Sequence, residues 1–232
     1  MTLLLVPGFM LDADLWTDMG GGLQPFGPTV LADLSQGNSV EEMASLTLQR
    51  ISGDFVVLGF SIGGYVAREI MRQAPERVRA LILIATSARG DTEVQAKRKA
   101  TLEAQPDISA FRGLSASAIA TSLHPDNATR ADLISRIQAM GQRLGGEVFR
   151  RQSLLDRQDE RASLGTITCP TLVIAGDDDK LRSRAEAREL HEGITGSDFE
   201  IIEGTGHMIP LEAPEQLIKV ISQWLNGLES RN

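Results

Sequence analysis

Short apolar runs alternate along the chain with amphipathic stretches. Six of these runs predict strands, at residues 2–6, 29–32, 55–59, 78–86, 171–175 and 199–203. Most are apolar throughout and do not alternate with polar residues, which is typical of strands that are covered on both faces. The pattern therefore predicts an α/β fold, with a mostly parallel sheet and helices on both faces.

The amphipathic stretches between these strands predict helices. The first, at residues 39–51, begins with Ser39 and carries Glu42 three residues later, which is the pattern of a capping box. A second helix ends before Pro75, and the last has Pro214 early in its first turn, where proline is favoured. The other helices of this part of the chain are predicted at residues 62–74, 184–192 and 213–228.

One long stretch, residues 87–166, interrupts the alternation. It contains no convincing strand, and four parts of it predict helices, at residues 92–105, 115–123, 130–144 and 147–158. With 232 residues and 42% hydrophobic content, the chain is long enough for one substantial core. We therefore expect one sheet body, formed by residues 1–86 and 167–232, with residues 87–166 inserted between two strands as a helical cap. We call residues 87–166 the inserted segment.

Charge is distributed unevenly between these parts. The net charge of −8 disfavours nonspecific binding of nucleic acid. The inserted segment has 12 Lys or Arg and 10 Asp or Glu, whereas the rest of the chain has 11 and 21. Most of these charges are expected on solvated helix faces. The positive balance of the inserted segment is nevertheless compatible with an anionic acyl carrier as a partner.

Neither the N-terminus nor the cysteine content points to a special compartment or to a metal. The first apolar run is about five residues and lacks a basic region before it, which predicts a strand rather than a signal peptide. No stretch approaches the roughly 20 apolar residues of a membrane span. We expect a cytoplasmic protein that does not bind membranes. The lone Cys169 can form neither an intramolecular disulfide nor a thiolate metal site, and we expect no metal and no cofactor.

The chemistry of the chain is indicated first by the stretch from Gly59 to Gly63. It reads G-x-S-x-G around Ser61 and lies between a predicted strand and a predicted helix, which is the context of a nucleophile elbow. The start of the helix would direct the Ile62 N–H toward a developing oxyanion. The alternative is a glycine-rich turn with an idle serine. A phosphate-binding loop is disfavoured because its G-K-[ST] ending is missing.

A nucleophilic serine needs a base, and the base needs a carboxylate that orients it. Of the three histidines, His207 follows the last predicted strand on a glycine-rich loop, at the edge where open α/β sheets bind ligands. His124 and His191 lie on the inserted segment and on a polar helix. For the carboxylate, the loop after the strand at 171–175 offers three adjacent aspartates, Asp177, Asp178 and Asp179. A calcium loop is a poor alternative, because no EF-hand spacing follows.

Four stretches together resemble the α/β-hydrolase family. They are LLLVPGFMLDADLW, GFSIGG, CPTLVIAGDDDKL and GTGHMIPLEAPEQL, which are similar to the oxyanion loop, the elbow, the acid strand and the histidine loop of that family. The resemblance implies Asp179 as the acid, because the family pattern counts G-x-x-D from Gly176. It also implies the N–H of Phe9 as a second oxyanion donor, although Pro7-Gly8 stands where the family often has His-Gly. The segment EVFRRQSLLDRQDERASLGTITCP is similar to the return from the lid in small carboxylesterases, including those that act on pimeloyl carrier-protein esters.

The resulting hypothesis is a serine esterase that cleaves uncharged acyl esters of small to medium chain length. Ser61, Asp179 and His207 would be catalytic, and Phe9 and Ile62 would form the oxyanion hole. Apolar residues near the motifs and in the inserted segment are candidate substrate contacts: Met10, Phe60, Met140, Leu144, Phe149 and Met208. Two alternatives stay open, because fold does not choose the reaction. One is hydrolysis of a thioester or a carbon–carbon bond with the same residues, and the other is a ligand receptor without catalysis.

Overall fold

The sheet has the expected parallel architecture. The structure is a computed structural model that describes residues 1–104 and 111–229. Its strands are β1 (Thr2–Val6), β2 (Thr29–Leu31), β3 (Phe55–Phe60), β4 (Val78–Ile84), β5 (Thr171–Gly176) and β6 (Asp198–Ile202). They form one six-stranded sheet in the order β2-β1-β3-β4-β5-β6, and each neighbouring pair is parallel. The predicted α/β class is confirmed.

Both faces of the sheet are covered, which explains why its strands are apolar throughout. In β1, Leu3 and Leu5 pack into one hydrophobic cluster, while Leu4 and Val6 pack into the other. The α-helices of the described residues are α1 (Gly20–Leu23), α2 (Val40–Leu48), α3 (Ile62–Gln73), α4 (Glu93–Ala104), α5 (Ala116–Ser122), α6 (Ala131–Ser153), α7 (Arg184–Gly193), α8 (Ile209–Glu212) and α9 (Pro214–Glu229). The first cluster includes buried side chains of α9, and the second includes those of α2, α3 and α7.

The start of α2 differs in one detail from the predicted capping box. The Ser39 hydroxyl accepts a hydrogen bond from the Glu42 N–H, as expected. The Glu42 carboxylate, however, accepts from the N–H of Asn38 at 2.8 Å instead of from Ser39. The complete reciprocal box lies at the start of α7, between Ser183 and Glu186.

The stretch between β4 and β5 is helical in the residues that the structure describes there, 85–104 and 111–170, and holds no strand in them. The predicted helices at 130–144 and 147–158 join into α6, which bends at Gly145, where φ is 79°. The second of them ends at Ser153, five residues earlier than predicted. The predicted helix at 92–105 corresponds to α4, and its last residue lies outside the described part, as does the rest of 105–110.

Several short helical regions were not predicted. They are α1, α8 and the 3-10 helices at Ala13–Met19, Gln24–Phe26, Pro125–Asn127 and Arg161–Thr166. Each is too short for a hydrophobic periodicity to be recognised in the sequence. In the part of the chain that the structure describes, none of the helices combines the length and the apolar character needed to cross a membrane.

Candidate active site

Three predicted site residues lie beyond the carboxyl ends of parallel strands, and these ends lie along the same side of the sheet. Ser61 follows β3, Asp179 follows β5 by three residues, and His207 lies on the loop after β6. The Ser61 Oγ lies 2.9 Å from His207 Nε2, and His207 Nδ1 lies 2.7 Å from Asp179 Oδ2. All three side chains are buried. The fold therefore joins them in one hydrogen-bonded chain from hydroxyl to imidazole to carboxylate.

Ser61 occupies a strained turn that only close packing can hold. Its φ is 54° and its ψ is −118°, outside the regions that residues other than glycine prefer. A Cβ on Gly59 would lie 2.5 Å from the Gly63 carbonyl oxygen, and a Cβ on Gly63 would lie 2.4 Å from the Val6 carbonyl oxygen. The Thr86 hydroxyl also donates to the Ser61 carbonyl at 2.6 Å. A larger residue would therefore not fit at Gly59 or Gly63. The two glycines allow the tight turn that places Ser61 at the carboxyl end of β3.

The three adjacent aspartates have three different environments. The Asp179 Oδ1 accepts from the N–H groups of Leu181 at 2.7 Å and Arg182 at 2.8 Å, which leaves Oδ2 for the histidine. Asp178 forms an ion pair with Lys180. Burial alone would raise the pKa of Asp177, but the N–H groups of the loop at 204–205 outweigh it and hold that pKa below its ordinary value. Only Asp179 of the three contacts His207.

The loop that carries His207 is held by contacts that the sequence did not reveal. The His207 N–H donates to the Ser122 carbonyl at 2.7 Å. On either side of it, the N–H groups of Gly206 and Met208 donate to Glu212 Oε1, at 3.0 and 3.1 Å. The other oxygen, Oε2, accepts from the His124 N–H at 2.7 Å and from the Asn127 amide at 2.9 Å. Glu212 therefore joins the histidine loop of the sheet body to the inserted segment.

The two predicted oxyanion donors, Phe9 and Ile62, line the same cavity as Ser61. Ile62 is the first residue of α3. The Phe9 ring contacts that of Phe149 edge to face, with centroids 5.8 Å apart. The next residue, Met10, has a φ of 55°, and its N–H donates to the buried side chain of Gln152 at 2.8 Å. No sequence pattern indicated Gln152, because 142 residues separate the two partners.

A cavity of about 710 Å³ opens onto Ser61 and His207. Of the predicted substrate contacts, Phe60, Phe149 and Met208 line it. Met10, Met140 and Leu144 do not line it. Met10 and Met140 are fully buried and belong to the hydrophobic core. The cavity wall instead includes Leu11, Leu114, Ala118, Ile119 and Ile137.

The remaining histidines have local partners. His124 Nδ1 accepts from the Asp126 N–H at 3.2 Å, and His191 Nδ1 lies 2.8 Å from the Ser197 hydroxyl. Within residues 1–104 and 111–229, no group of three or more His, Cys, Asp or Glu side chains is arranged to hold a metal ion.

The chain is similar over most of its length to known hydrolases. The model of the alpha/beta hydrolase family matches residues 3–220. The pimeloyl-(acyl-carrier protein) methyl ester esterase of Photobacterium profundum is 26% identical over 96% of this chain and 94% of its own. A thermophilic esterase from Thermogutta terrifontis, solved with malate bound, is 27% identical with a TM-score of 0.85, over 98% of this chain and 90% of that one. The enol-lactonase from Burkholderia xenovorans is 20% identical with a TM-score of 0.81, over 97% and 91%.

Proposed function

Because the chain belongs to the alpha/beta hydrolase family and is a carboxylic ester hydrolase, we propose that Ser61, His207 and Asp179 form its catalytic triad. The observation that carries this proposal is the continuous chain of contacts from Ser61 Oγ to His207 at 2.9 Å and on to Asp179 at 2.7 Å. Serine, acid and histidine follow one another in the chain order of this fold.

The first half of the reaction forms an acyl-enzyme. His207 Nε2 takes the proton of Ser61 as Oγ attacks the ester carbonyl carbon, and the carbonyl oxygen becomes an oxyanion. The N–H groups of Phe9 and Ile62 donate to it, an effect of about 3–4 kcal/mol per donor. Asp179 accepts from Nδ1–H and stabilises the imidazolium. His207 then gives the proton to the leaving alcohol as the C–O bond breaks.

Water completes the cycle. It attacks the acyl carbon while His207 Nε2 accepts its proton, and the second tetrahedral intermediate collapses with return of that proton to Ser61. The products are the carboxylic acid and free enzyme.

The inserted segment is proposed to act as the cap over this site. It supplies the apolar side of the cavity through Leu114, Ile119, Ile137 and Phe149, which suits an acyl chain of small to medium length. An anionic acyl carrier is the finer proposal for the partner. Its support is the activity named for the Photobacterium profundum relative, together with the positive balance of the inserted segment.

The test uses a series of p-nitrophenyl esters from acetate to a long acyl chain, with wild-type protein beside Ser61→Ala. We expect kcat to fall by about 10⁴-fold or more in the variant while its circular dichroism and melting temperature stay close to the wild-type values. The chain length at which kcat/KM declines measures the depth of the cavity. A folded Ser61→Ala protein that still hydrolyses these esters would show that Ser61 is not the nucleophile.

A further inference from the structure

The cavity above Ser61 has two chemically different walls. One wall comes from α5 and α6 and is uncharged, with Ala118, Ile119 and Ile137 among its apolar side chains. The other comes from α4, whose cavity side consists of Gln95, Arg98, Lys99, Thr101 and Leu102. The i, i+3, i+4, i+7 spacing of positions 95, 98, 99 and 102 marks one face of a helix. An amphipathic helix usually turns its apolar face inward, whereas α4 turns a mainly polar and cationic face toward the cavity.

Positive charge around the cavity exceeds negative charge. Four cationic side chains line it, Arg98, Lys99, Arg157 and Arg182, and in the described part of the chain no Asp or Glu does. This surplus is notable in a chain with a net charge of −8. The overall composition is acidic, so it does not account for the positive charge around the cavity.

Existing ion pairs offset only part of that charge. Lys99 and Arg157 both pair with Asp91, so that two cations share one carboxylate. Burial alone would raise the pKa of Asp91, but these two cations outweigh it and hold that pKa below its ordinary value. The carboxylate of Glu186 lies 3.7 Å from the Arg182 guanidinium.

Arg98 differs from the other three cations. Across residues 1–104 and 111–229, no ion pair or hydrogen bond is described for its guanidinium. Arg98 is exposed at the cavity wall, so its guanidinium can form a charge-assisted hydrogen bond to an anion that enters, without the loss of an existing partner among the described residues.

We propose that the cavity binds esters that carry a small anionic group, a carboxylate or a phosphate, and that Arg98 on α4 is the main contact of that group. The apolar wall then holds the hydrocarbon part, while the ester carbonyl lies at Ser61. The inference rests on the proposed function for the position of the carbonyl. The group can belong to the acyl part or to the alcohol part of the ester.

The experiment compares substrates that differ only in this group. Mono-p-nitrophenyl glutarate against p-nitrophenyl pentanoate tests an anion in the acyl part. 4-Carboxyphenyl pentanoate against phenyl pentanoate tests one in the alcohol part. At low salt we expect kcat/KM to favour the anionic member of at least one pair by about tenfold or more, and this preference to shrink in 0.5 M NaCl, because salt screens the attraction.

Variants assign the preference to α4. Arg98→Gln should reduce the anionic-to-neutral ratio of kcat/KM by about tenfold, mainly through KM, and Arg98→Lys should retain most of it. Lys97→Gln is the matched control, because Lys97 lies on the same helix and is exposed like Arg98 but does not line the cavity. A ratio near one in both pairs overturns the proposal. So does an equal loss of the ratio in Lys97→Gln and Arg98→Gln, since that would reflect the field of the whole helix.

A binding measurement separates this inference from the proposed function. Calorimetric titration of Ser61→Ala with monomethyl glutarate, with and without Arg98→Gln, reads the anion contact without turnover. Ser61-dependent hydrolysis of neutral esters, with no difference in these titrations, would overturn the anion site alone. Hydrolysis that survives Ser61→Ala would instead overturn the triad, whatever the titrations show.

Discussion

Helices α3 and α4 are both twelve residues long, yet ten residues of α3 are buried and none of α4 is. Helix α3 begins at the candidate nucleophile and packs against the sheet. Helix α4 lies in the inserted segment and forms one wall of the cavity. Core packing therefore fixes α3, whereas α4 contributes no buried residue to a core.

The comparison suggests how the molecule divides its tasks. Bond cleavage depends on distances near 3 Å, which need rigid surroundings, and the sheet body provides them. Recognition of a ligand depends on the polarity and charge of the cavity wall, and a helix outside the core can supply these side chains. Four predictions test this division, beginning with the largest effect.

The largest effect is expected at the acid of the sheet body. Asp179→Asn should lower kcat by about 10⁴-fold. The N–H groups of Leu181 and Arg182 keep the amide oxygen at the Oδ1 position, so the amide NH2 faces His207 Nδ1 and, as a donor, favours the wrong tautomer. Asp178→Asn is the matched control, since its carboxylate pairs with Lys180, and it should retain nearly full turnover. Steady-state kinetics with a p-nitrophenyl ester measures both variants. Loss of activity in Asp178→Asn with retention in Asp179→Asn would mean that the acid is assigned to the wrong residue.

The contrast between the two helices predicts unequal losses of stability. Ile70→Ala in α3 removes a fully buried side chain and should reduce the free energy of unfolding by about 2–5 kcal/mol. Val94→Ala in α4 removes a side chain that is 59% exposed and should change it by less than about 0.5 kcal/mol. Urea denaturation followed by circular dichroism gives both values. Similar losses at the two positions would refute the contrast.

Glu212 joins the two regions, and its replacement should have an intermediate effect. Glu212→Gln keeps one carbonyl oxygen for four N–H donors, so at least one pair loses its acceptor. We expect the free energy of unfolding to fall by about 1–3 kcal/mol. Glu215→Gln, an exposed residue on α9, is the control for the change in charge. Identical denaturation midpoints for the two variants would show that the bridge contributes nothing to stability.

Ion pairs at the surface between the two regions should contribute less than the Glu212 bridge. Arg143 of the inserted segment pairs with Asp12 at 2.7 Å, and Arg143→Gln should cost about 0.5–1 kcal/mol at neutral pH and less in high salt. Burial alone would raise the pKa of Asp12, but hydrogen bonds from Arg143 and from the Asp14 N–H outweigh it, so that its folded-state pKa lies below 3.8.

The low pKa of Asp12 fixes the sign of the pH dependence. A carboxyl whose pKa is lower in the folded than in the unfolded protein stabilises the fold above the unfolded value and loses that effect as pH falls through the folded value. The stability difference between wild type and Arg143→Gln should therefore persist above pH 3.8 and vanish at more acidic pH. A difference that is unchanged in acid would exclude the Asp12 pair as its origin.

The sequence predicted most of the sheet body because its signals are local. Each strand is an apolar run with polar boundaries, and all six runs lie within two residues of the observed strands. The G-x-S-x-G turn is recognisable for the same reason. Its glycines are required by close contacts within one tight turn and with the neighbouring strand. The loop positions of Asp179 and His207 follow from the carboxyl ends of parallel strands.

The contacts of the inserted segment could not be predicted in this way. Gln152 binds Met10 across 142 residues, and Glu212 binds His124 across 88. No local pattern encodes such pairs. Met10 and Met140 were predicted to contact substrate for their apolar character, but an apolar side chain near a site fits the core equally well, and only the folded arrangement shows which side chains line the cavity.

The absence of buried residues in α4 also bears on how this protein can change through evolution. Substitutions on its cavity face alter the ligand-facing surface while leaving the core intact, so they do not bring the chain nearer to the stability threshold that limits accumulated mutations. Around Ser61, by contrast, nearly every position is constrained by its neighbours. A homologue that evolves to hydrolyse a different ester would therefore accumulate its first tolerated substitutions along α4, while the residues around Ser61 stay unchanged.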